Sequence, residues 1–166
     1  MKRLSIIAIA ALMVAALAAP TVLSADNSRK FNASLNGYLE VPSISTAGRG
    51  TFTATVKGST ISYRLRYSGL GSEAVAAHIH FARPDVNGGV VAFLCGGGDK
   101  PVCPPAGGTV SGVIDAPDVI GPEDKGILKG EIAELIRAMR AGATYVNVHT
   151  HTYPSGEIRG NVSVNR

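Results

Sequence analysis

Apolar and polar residues alternate with a period of two along most of the chain after residue 30. In the segment 61–67, for example, Ile, Tyr, Leu and Tyr alternate with Ser, Arg and Arg, so one face of the strand is apolar. Similar half-buried strands are predicted at 31–39, 51–57, 75–82, 89–94, 109–115, 144–151 and 156–164. Turns rich in Gly and Pro separate them, which is typical of an all-β Greek-key β-sandwich or a flattened Greek-key barrel.

One segment, 130–141, has helical spacing of its apolar residues instead. Gly142 follows it as the expected C-terminal cap, and Arg137 and Arg140 fall in the last turns, where cations favour the helix dipole. We predict one short crossover helix packed over one end of the sandwich. Met139 on its apolar face is expected to fill the core rather than to bind a metal.

The first 25 residues have the composition of a secretory signal peptide. Lys2 and Arg3 precede an apolar run, and small residues follow that permit cleavage after Ser24 or Ala25. The run is short for a membrane span, which takes about 20 residues, so a retained N-terminal anchor is the less favoured alternative. We expect residues 1–25 to be removed, leaving a secreted, periplasmic or extracellular protein with no membrane span.

Removal of Lys2 and Arg3 lowers the net charge from +4 to +2, so the whole chain overstates how basic the mature protein is. No cluster of Lys and Arg along the mature sequence resembles a nucleic-acid patch, and a nucleic-acid partner is not expected. The two cysteines, Cys95 and Cys103, are expected to form a disulfide, because an exported protein meets an oxidising compartment. A pair of thiolate metal ligands is the rival interpretation.

All four histidines fall into two identical spacings, His78-Ile79-His80 and His149-Thr150-His151. On a strand, side chains at i and i+2 leave the same face about 6.6 Å apart, so each pair can offer two imidazoles to one ion. Imidazole is a common ligand for copper and zinc. The alternative is that these are ordinary solvated side chains on the outside of a sheet.

Strand parity places the histidines opposite the core. In 75–82 the apolar alternation puts Ile79 inside, so His78 and His80 face outward, and in the same way His149 and His151 face outward. Parity in 156–164 also turns Glu157 and Arg159 to the outside. If these strands are neighbours, Glu157 can fix an imidazole tautomer from the second shell, with Arg159 beside it. The alternative is an exposed Glu–Arg pair that contributes little to stability.

Several ordered motifs resemble the CHRD domain, which is named for chordin and is widespread in exported bacterial proteins. The motifs lie at 40–42, 77–80, 88–95, 141–149 and 153–160, and they carry the sequences Glu-Val-Pro, Ala-His-Ile-His, Gly-Gly-Val-Val-Ala-Phe-Leu-Cys, Ala-Gly-Ala-Thr-Tyr-Val-Asn-Val-His and Tyr-Pro-Ser-Gly-Glu-Ile-Arg-Gly. The resemblance implies one CHRD domain over 31–162. It also implies an immunoglobulin-type or superoxide-dismutase-like sandwich.

The His-X-His strand is similar to the copper-binding strand of copper–zinc superoxide dismutases. The resemblance makes His78, His80 and His149 the expected metal ligands, and His151 is expected as an optional fourth ligand, because many relatives have another residue at its position. Four histidines are too few for the two-metal dismutase site, so the expectation is a single metal ion.

Three functions are compatible with these features. The first is a secreted protein that binds one copper ion, or less favourably zinc, on the outer face of the sheet. The second is a non-catalytic adhesion or matrix module whose outer sheet face meets an extracellular protein or glycan. The third, an enzyme with copper-dependent, dismutase-like redox activity, is the least favoured.

Overall fold

The computed structural model describes residues 30–165, and the predicted signal peptide at 1–25 lies outside them. The described part contains nine β-strands and one α-helix. The strands are β1 (Lys30–Asn36), β2 (Arg49–Lys57), β3 (Thr60–Ser68), β4 (Ala74–Phe81), β5 (Gly89–Cys95), β6 (Gly108–Ile114), β7 (Thr144–Thr150), β8 (Ile158–Asn161) and β9 (Ser163–Val164). The helix α1 spans Ile132–Arg140, and short 3-10 turns occur at Gly37–Leu39, Ala116–Asp118 and Glu123–Lys125.

The strands form one antiparallel sheet in the order β5-β4-β7-β8-β1-β2-β3-β6, with β9 paired to β1. The sheet folds over a single core, with β5-β4-β7-β8 in one layer and β1-β2-β3-β6 in the other. The layers join where β8 and β1 pair at one position, Arg159 with Asn36. Consecutive strands β5 and β6 lie at opposite ends of this order, so the chain crosses between layers. The predicted all-β Greek-key architecture is confirmed.

The two open edges of the sheet, β5 and β6, contact each other and make the sandwich nearly a barrel, and β5 is also bonded to β3 and to the β5–β6 connection. The hydroxyl of Tyr63, on β3, donates a hydrogen bond of 2.6 Å to the carbonyl oxygen of Leu94 on β5. Next to it, Cys95 at the end of β5 forms a disulfide with Cys103 in the β5–β6 connection. The predicted disulfide is therefore confirmed, and these two cysteines are not metal ligands.

Helix α1 lies in the connection between β6 and β7 and ends close to the predicted residue. Gly142 has a φ of 65°, a left-handed conformation that residues other than glycine adopt only with strain. Its N–H bonds to the carbonyl of Met139, and the N–H of Ala143 bonds to the carbonyl of Ala138, which is a Schellman motif. Met139 is fully buried in the core, as predicted. Among the described residues, no helix is long and apolar enough to cross a membrane.

Candidate metal centre

Three of the four histidines come together on the layer β5-β4-β7-β8. His78 and His80 lie on β4, and His149 lies on the neighbouring strand β7, where it is paired with Ala76. One ring nitrogen from each histidine falls within 4.8 Å of the others. The shortest approach, 2.9 Å, joins Nδ1 of His78 to Nε2 of His149. This spacing is compatible with three imidazoles binding one ion.

The sheet face that carries these histidines is covered rather than solvated. His78 is 8% exposed and His80 is 6% exposed, while His149 is partly buried. The connections 37–48, 82–88 and 151–157 fold over this face, where Glu40 lies beside Asn147, Gly88 bonds to His80 and Pro154 bonds to His149. Strand parity was therefore right about which face the histidines occupy, but the expectation of an outer, solvent-facing site was wrong. Alternation distinguishes the two faces of a strand, and it does not report which loops fold over the second face.

Backbone carbonyls fix the tautomers of two of the three imidazoles. Nδ1 of His80 lies 2.9 Å from the carbonyl oxygen of Gly88, and Nδ1 of His149 lies 2.9 Å from that of Pro154. A carbonyl oxygen can only accept, so both Nδ1 atoms carry the hydrogen and both Nε2 atoms keep a free electron pair. Such acceptors are the usual means of orienting a metal-binding histidine.

The third tautomer follows from the other two. Because Nε2 of His149 has no hydrogen, the 2.9 Å contact requires that Nδ1 of His78 donate to it. Binding of a metal to these facing nitrogens would therefore require the His78 proton to move to Nε2. Nε2 of His80 is buried and has no hydrogen-bond partner among residues 30–165. Buried polar atoms seldom remain unpaired, so the free electron pair of this nitrogen is available to a ligand such as a metal ion.

All three imidazoles are held in their neutral form. Burial lowers the pKa of His78 from 6.5 to about 3, with repulsion from His149 and His80 as the further causes. Burial also lowers the pKa of His80 to about 4, although its bond to Gly88 acts in the opposite direction. The pKa of His149 is lowered too, mainly by burial. Neutral imidazole is the metal-binding form, so near neutral pH a metal needs no net loss of a proton from these rings, only the shift of the His78 hydrogen from Nδ1 to Nε2.

Aromatic rings form the walls around the histidines. The ring of Phe93 meets His78 edge to face at a centroid distance of 4.5 Å. The ring of Tyr145 stacks on His80 at 4.7 Å and is nearly parallel to it. On Tyr145, in turn, lies the guanidinium of Arg159, whose central carbon is 3.4 Å from the ring centroid. These rings restrict the imidazoles to one arrangement.

Arg159 is fully buried and anchors one of the covering loops. Its Nη2 donates a 2.8 Å bond to the carbonyl oxygen of Val86, and its Nη1 donates to the side-chain oxygen of Asn87 at 3.3 Å. The same loop supplies the Gly88 carbonyl that orients His80. Arg159 therefore supports the histidines through Tyr145 and through the loop, and the alternative of an exposed Glu157–Arg159 pair is wrong.

Glu157 is also fully buried, but its hydrogen bonds go elsewhere. Its carboxylate accepts bonds from the hydroxyls of Thr46 and Thr150 and from the N–H of Gly71, at 2.6 to 2.9 Å. None of these partners is a histidine, so the expected second-shell contact with an imidazole is not present in the structure. Glu157 instead holds the 37–48 connection and the β3–β4 connection against β7.

His151 lies outside the cluster and is exposed. It follows the end of β7, where the chain turns, so the parity that aligned it with His149 no longer applies. The structure thus brings together His78, His80 and His149, whereas His151, the predicted optional fourth ligand, is not part of the group.

Sequence reasoning missed two buried polar residues next to the site, Glu40 and Asn147. The side chain of Asn147 lies close enough to Glu40 and His80 to affect the pKa of both, but its Oδ1 makes no hydrogen bond with Nε2 of His80. Burial raises the pKa of Glu40 to about 7, although the nearby Arg159 acts to lower it. Both residues, together with Gly88 and Pro154, fall within the segments that carry the CHRD resemblance. For Glu40 that resemblance was the only available signal, whereas for Asn147 the strand parity of 144–151, which turns it to the same face as His149, was a second one.

The chain matches the family model for the CHRD domain over residues 31–162. It belongs to the CHRD domain family. The match covers nearly all of the described residues, so the sandwich, the histidine cluster and the covering loops all lie within the CHRD domain. No curated protein and no solved structure is significantly similar to the chain.

Proposed function

We propose that this CHRD-domain protein is exported and binds a single copper ion through His78, His80 and His149. The observation that carries the proposal is the convergence of one ring nitrogen from each histidine within 4.8 Å, and the buried, unpartnered Nε2 of His80 adds to it. Export is supported by the disulfide and by the signal-like composition of residues 1–25.

The donor set favours copper over zinc. All three donors are neutral imidazoles, which suit both metals, and divalent copper binds such sites more tightly than zinc in the Irving–Williams order. Three protein ligands also leave a position open to a further ligand. Zinc is the second candidate, because a three-histidine set with one open position is also a known zinc arrangement.

The test is calorimetric titration of the purified protein with copper, together with paramagnetic resonance of the loaded sample. We expect one copper per chain, nitrogen ligation in the spectrum, and a loss of affinity of about 100-fold or more in His80→Ala and His149→Ala. His151→Ala is the matched control, because it removes an exposed imidazole outside the cluster. Binding no tighter than micromolar, or equal affinity in all three variants, would show the proposal to be wrong.

A further inference from the structure

The second layer of the sandwich, β1-β2-β3-β6, presents a surface whose charge is of one sign. These four strands contain five basic residues and no Asp or Glu: Lys30, Arg49, Lys57, Arg64 and Arg66. The remaining described residues contain all eleven carboxylates of the range 30–165 but only seven basic side chains. The net charge of the protein is small, but its charges are distributed unequally between these four strands and the remaining described residues. The sequence contains no run of basic residues that would have predicted this distribution.

All five cations lie on the outer face and are exposed. Arg64 and Arg66 alternate with buried residues of β3, and strand pairing sets Arg66 beside Thr51 of β2 and Thr109 of β6. Arg49 is diagonal to Arg66, which puts the two about 7–8 Å apart at the backbone. No carboxylate of the described residues lies within ion-pair distance of any of the five.

Apart from the exposed Val113 of β6, the rest of this face is made of small hydroxyl and amide side chains. Between the two arginines runs a shallow groove of about 560 Å³, whose polar lining side chains are Ser34, Asn36, Arg49, Thr51, Arg66 and Ser68. Its hydroxyls and amide can exchange hydrogen bonds with sugar hydroxyls, and a guanidinium can bind a carboxylate through two parallel N–H groups. The lining thus offers partners for the two kinds of polar group found in an acidic sugar.

Two other classes of macromolecule fit this face less well. Protein interfaces centre on aromatic and apolar anchors, whereas the aromatic residues of these strands, Phe31, Phe52, Tyr63 and Tyr67, all point into the core. Single-stranded nucleic acids require aromatic rings for base stacking, and the outer face has none. A broad flat sheet also does not enter the major groove of a duplex, which admits a helix or a two-stranded ribbon.

We infer that the outer face of β1-β2-β3-β6 binds an acidic polysaccharide, a polymer rich in uronic acid carboxylates. This face belongs to the layer opposite β4 and β7, which carry the histidine cluster. Polysaccharide binding is therefore independent of the metal. It also gives the adhesion or matrix role considered from the sequence a defined surface and a defined ligand class.

The experiment measures binding of the purified protein to immobilised polygalacturonate in the presence of a chelator. We expect binding that weakens as salt is added, because exposed charges are screened, and no binding to neutral dextran. The double variant Arg49→Ser/Arg66→Ser should bind about tenfold more weakly or worse, since each lost charge-assisted bond contributes strongly. The matched control is Arg83→Ser/Lys129→Ser, which removes the same charge from exposed positions elsewhere.

Each result either supports or overturns the inference. Equal weakening in the control double variant would mean that net charge alone is responsible, which would overturn it. Binding to duplex DNA or to phosphatidylglycerol vesicles that is tighter than binding to polygalacturonate, with the same dependence on Arg49 and Arg66, would mean that this face binds another class of ligand. That result would overturn the inference. Binding that occurs without chelator but not with it would mean that the polysaccharide binds at the histidine cluster, which would also overturn the inference. Near-ultraviolet circular dichroism verifies that both variants are folded, and Arg66→Gln alone provides a milder variant.

Discussion

The buried imidazole of His78 should make the stability of the metal-free protein depend on pH in a defined direction. Its pKa is about 3 in the folded protein and 6.5 in an unfolded chain. Between these values the unfolded state binds a proton that the folded state excludes. The contribution of His78 to the free energy of unfolding is therefore fully present above about pH 6.5 and is lost as the pH falls toward 3.

The magnitude follows from proton linkage. At about pH 5 the unfolded chain gains about 2 kcal/mol from protonating one histidine of ordinary pKa, while His78 in the folded protein remains neutral. The variant His78→Gln has no such group. The stability advantage of the wild-type protein over His78→Gln should thus shrink by about 2 kcal/mol between about pH 8 and about pH 5.

Comparing the wild-type protein with His78→Gln cancels the contributions of the other titrating groups to the pH dependence of stability. Glu40, whose pKa is raised to about 7 by burial, acts in the opposite direction and stabilises the folded state as the pH falls from 7 toward 4.5. It is present in both proteins, so its contribution cancels, as does any loss from altered packing that does not depend on pH.

The assay is urea denaturation of both proteins at the two pH values in the presence of a chelator, with the free energy of unfolding taken from each curve. His151→Gln serves as the control and should stay parallel to the wild-type protein. A stability difference between wild type and His78→Gln that is the same at both pH values would refute the reasoning, because it would mean that His78 is protonated as easily in the folded state as in the unfolded one.

Three further outcomes are expected. Copper at about 100 times its Kd should stabilise the protein by about 2.7 kcal/mol in thermal unfolding, and His149→Ala should abolish this shift while His151→Ala retains it. Arg159→Met should weaken copper binding by about 10- to 100-fold in calorimetry, because the loop that orients His80 loses its anchor; unchanged affinity would contradict the supporting role. Replacing Cys95 and Cys103 by Ser should lower the free energy of unfolding by about 2–3 kcal/mol, a modest loss because the disulfide closes a short loop. A variant as stable as the oxidised protein would argue against a stabilising role of the disulfide.

The strands and the helix could be predicted because local patterns determine them. Period-two alternation located the strands to within a few residues, although the single strand predicted at 156–164 is two strands, β8 and β9, and the helical spacing before Gly142 located α1. The strand predicted at 31–39 is the main exception, since β1 ends at Asn36. Beyond it the chain turns and becomes part of the cover over the histidines.

The site was predicted only in part. Parity turned all four histidines away from the core, and the family resemblance then favoured His78, His80 and His149 over His151. The roles expected for Glu157 and Arg159 differ from those in the structure, because both depend on loops that approach from distant parts of the sequence. Glu157 bonds to residue 46 and residue 71, and Arg159 bonds to residues 86 and 87.

The sequence by itself determined the fold class, the disulfide pair and the face of β4 that carries its histidines, because each depends on residue type and short-range spacing. Only the tertiary structure decided that this face is buried, that carbonyls of Gly88 and Pro154 orient two imidazoles, and that five basic residues share one exposed surface. These properties arise from contacts between segments far apart along the chain, and periodicity contains no information about which segments meet.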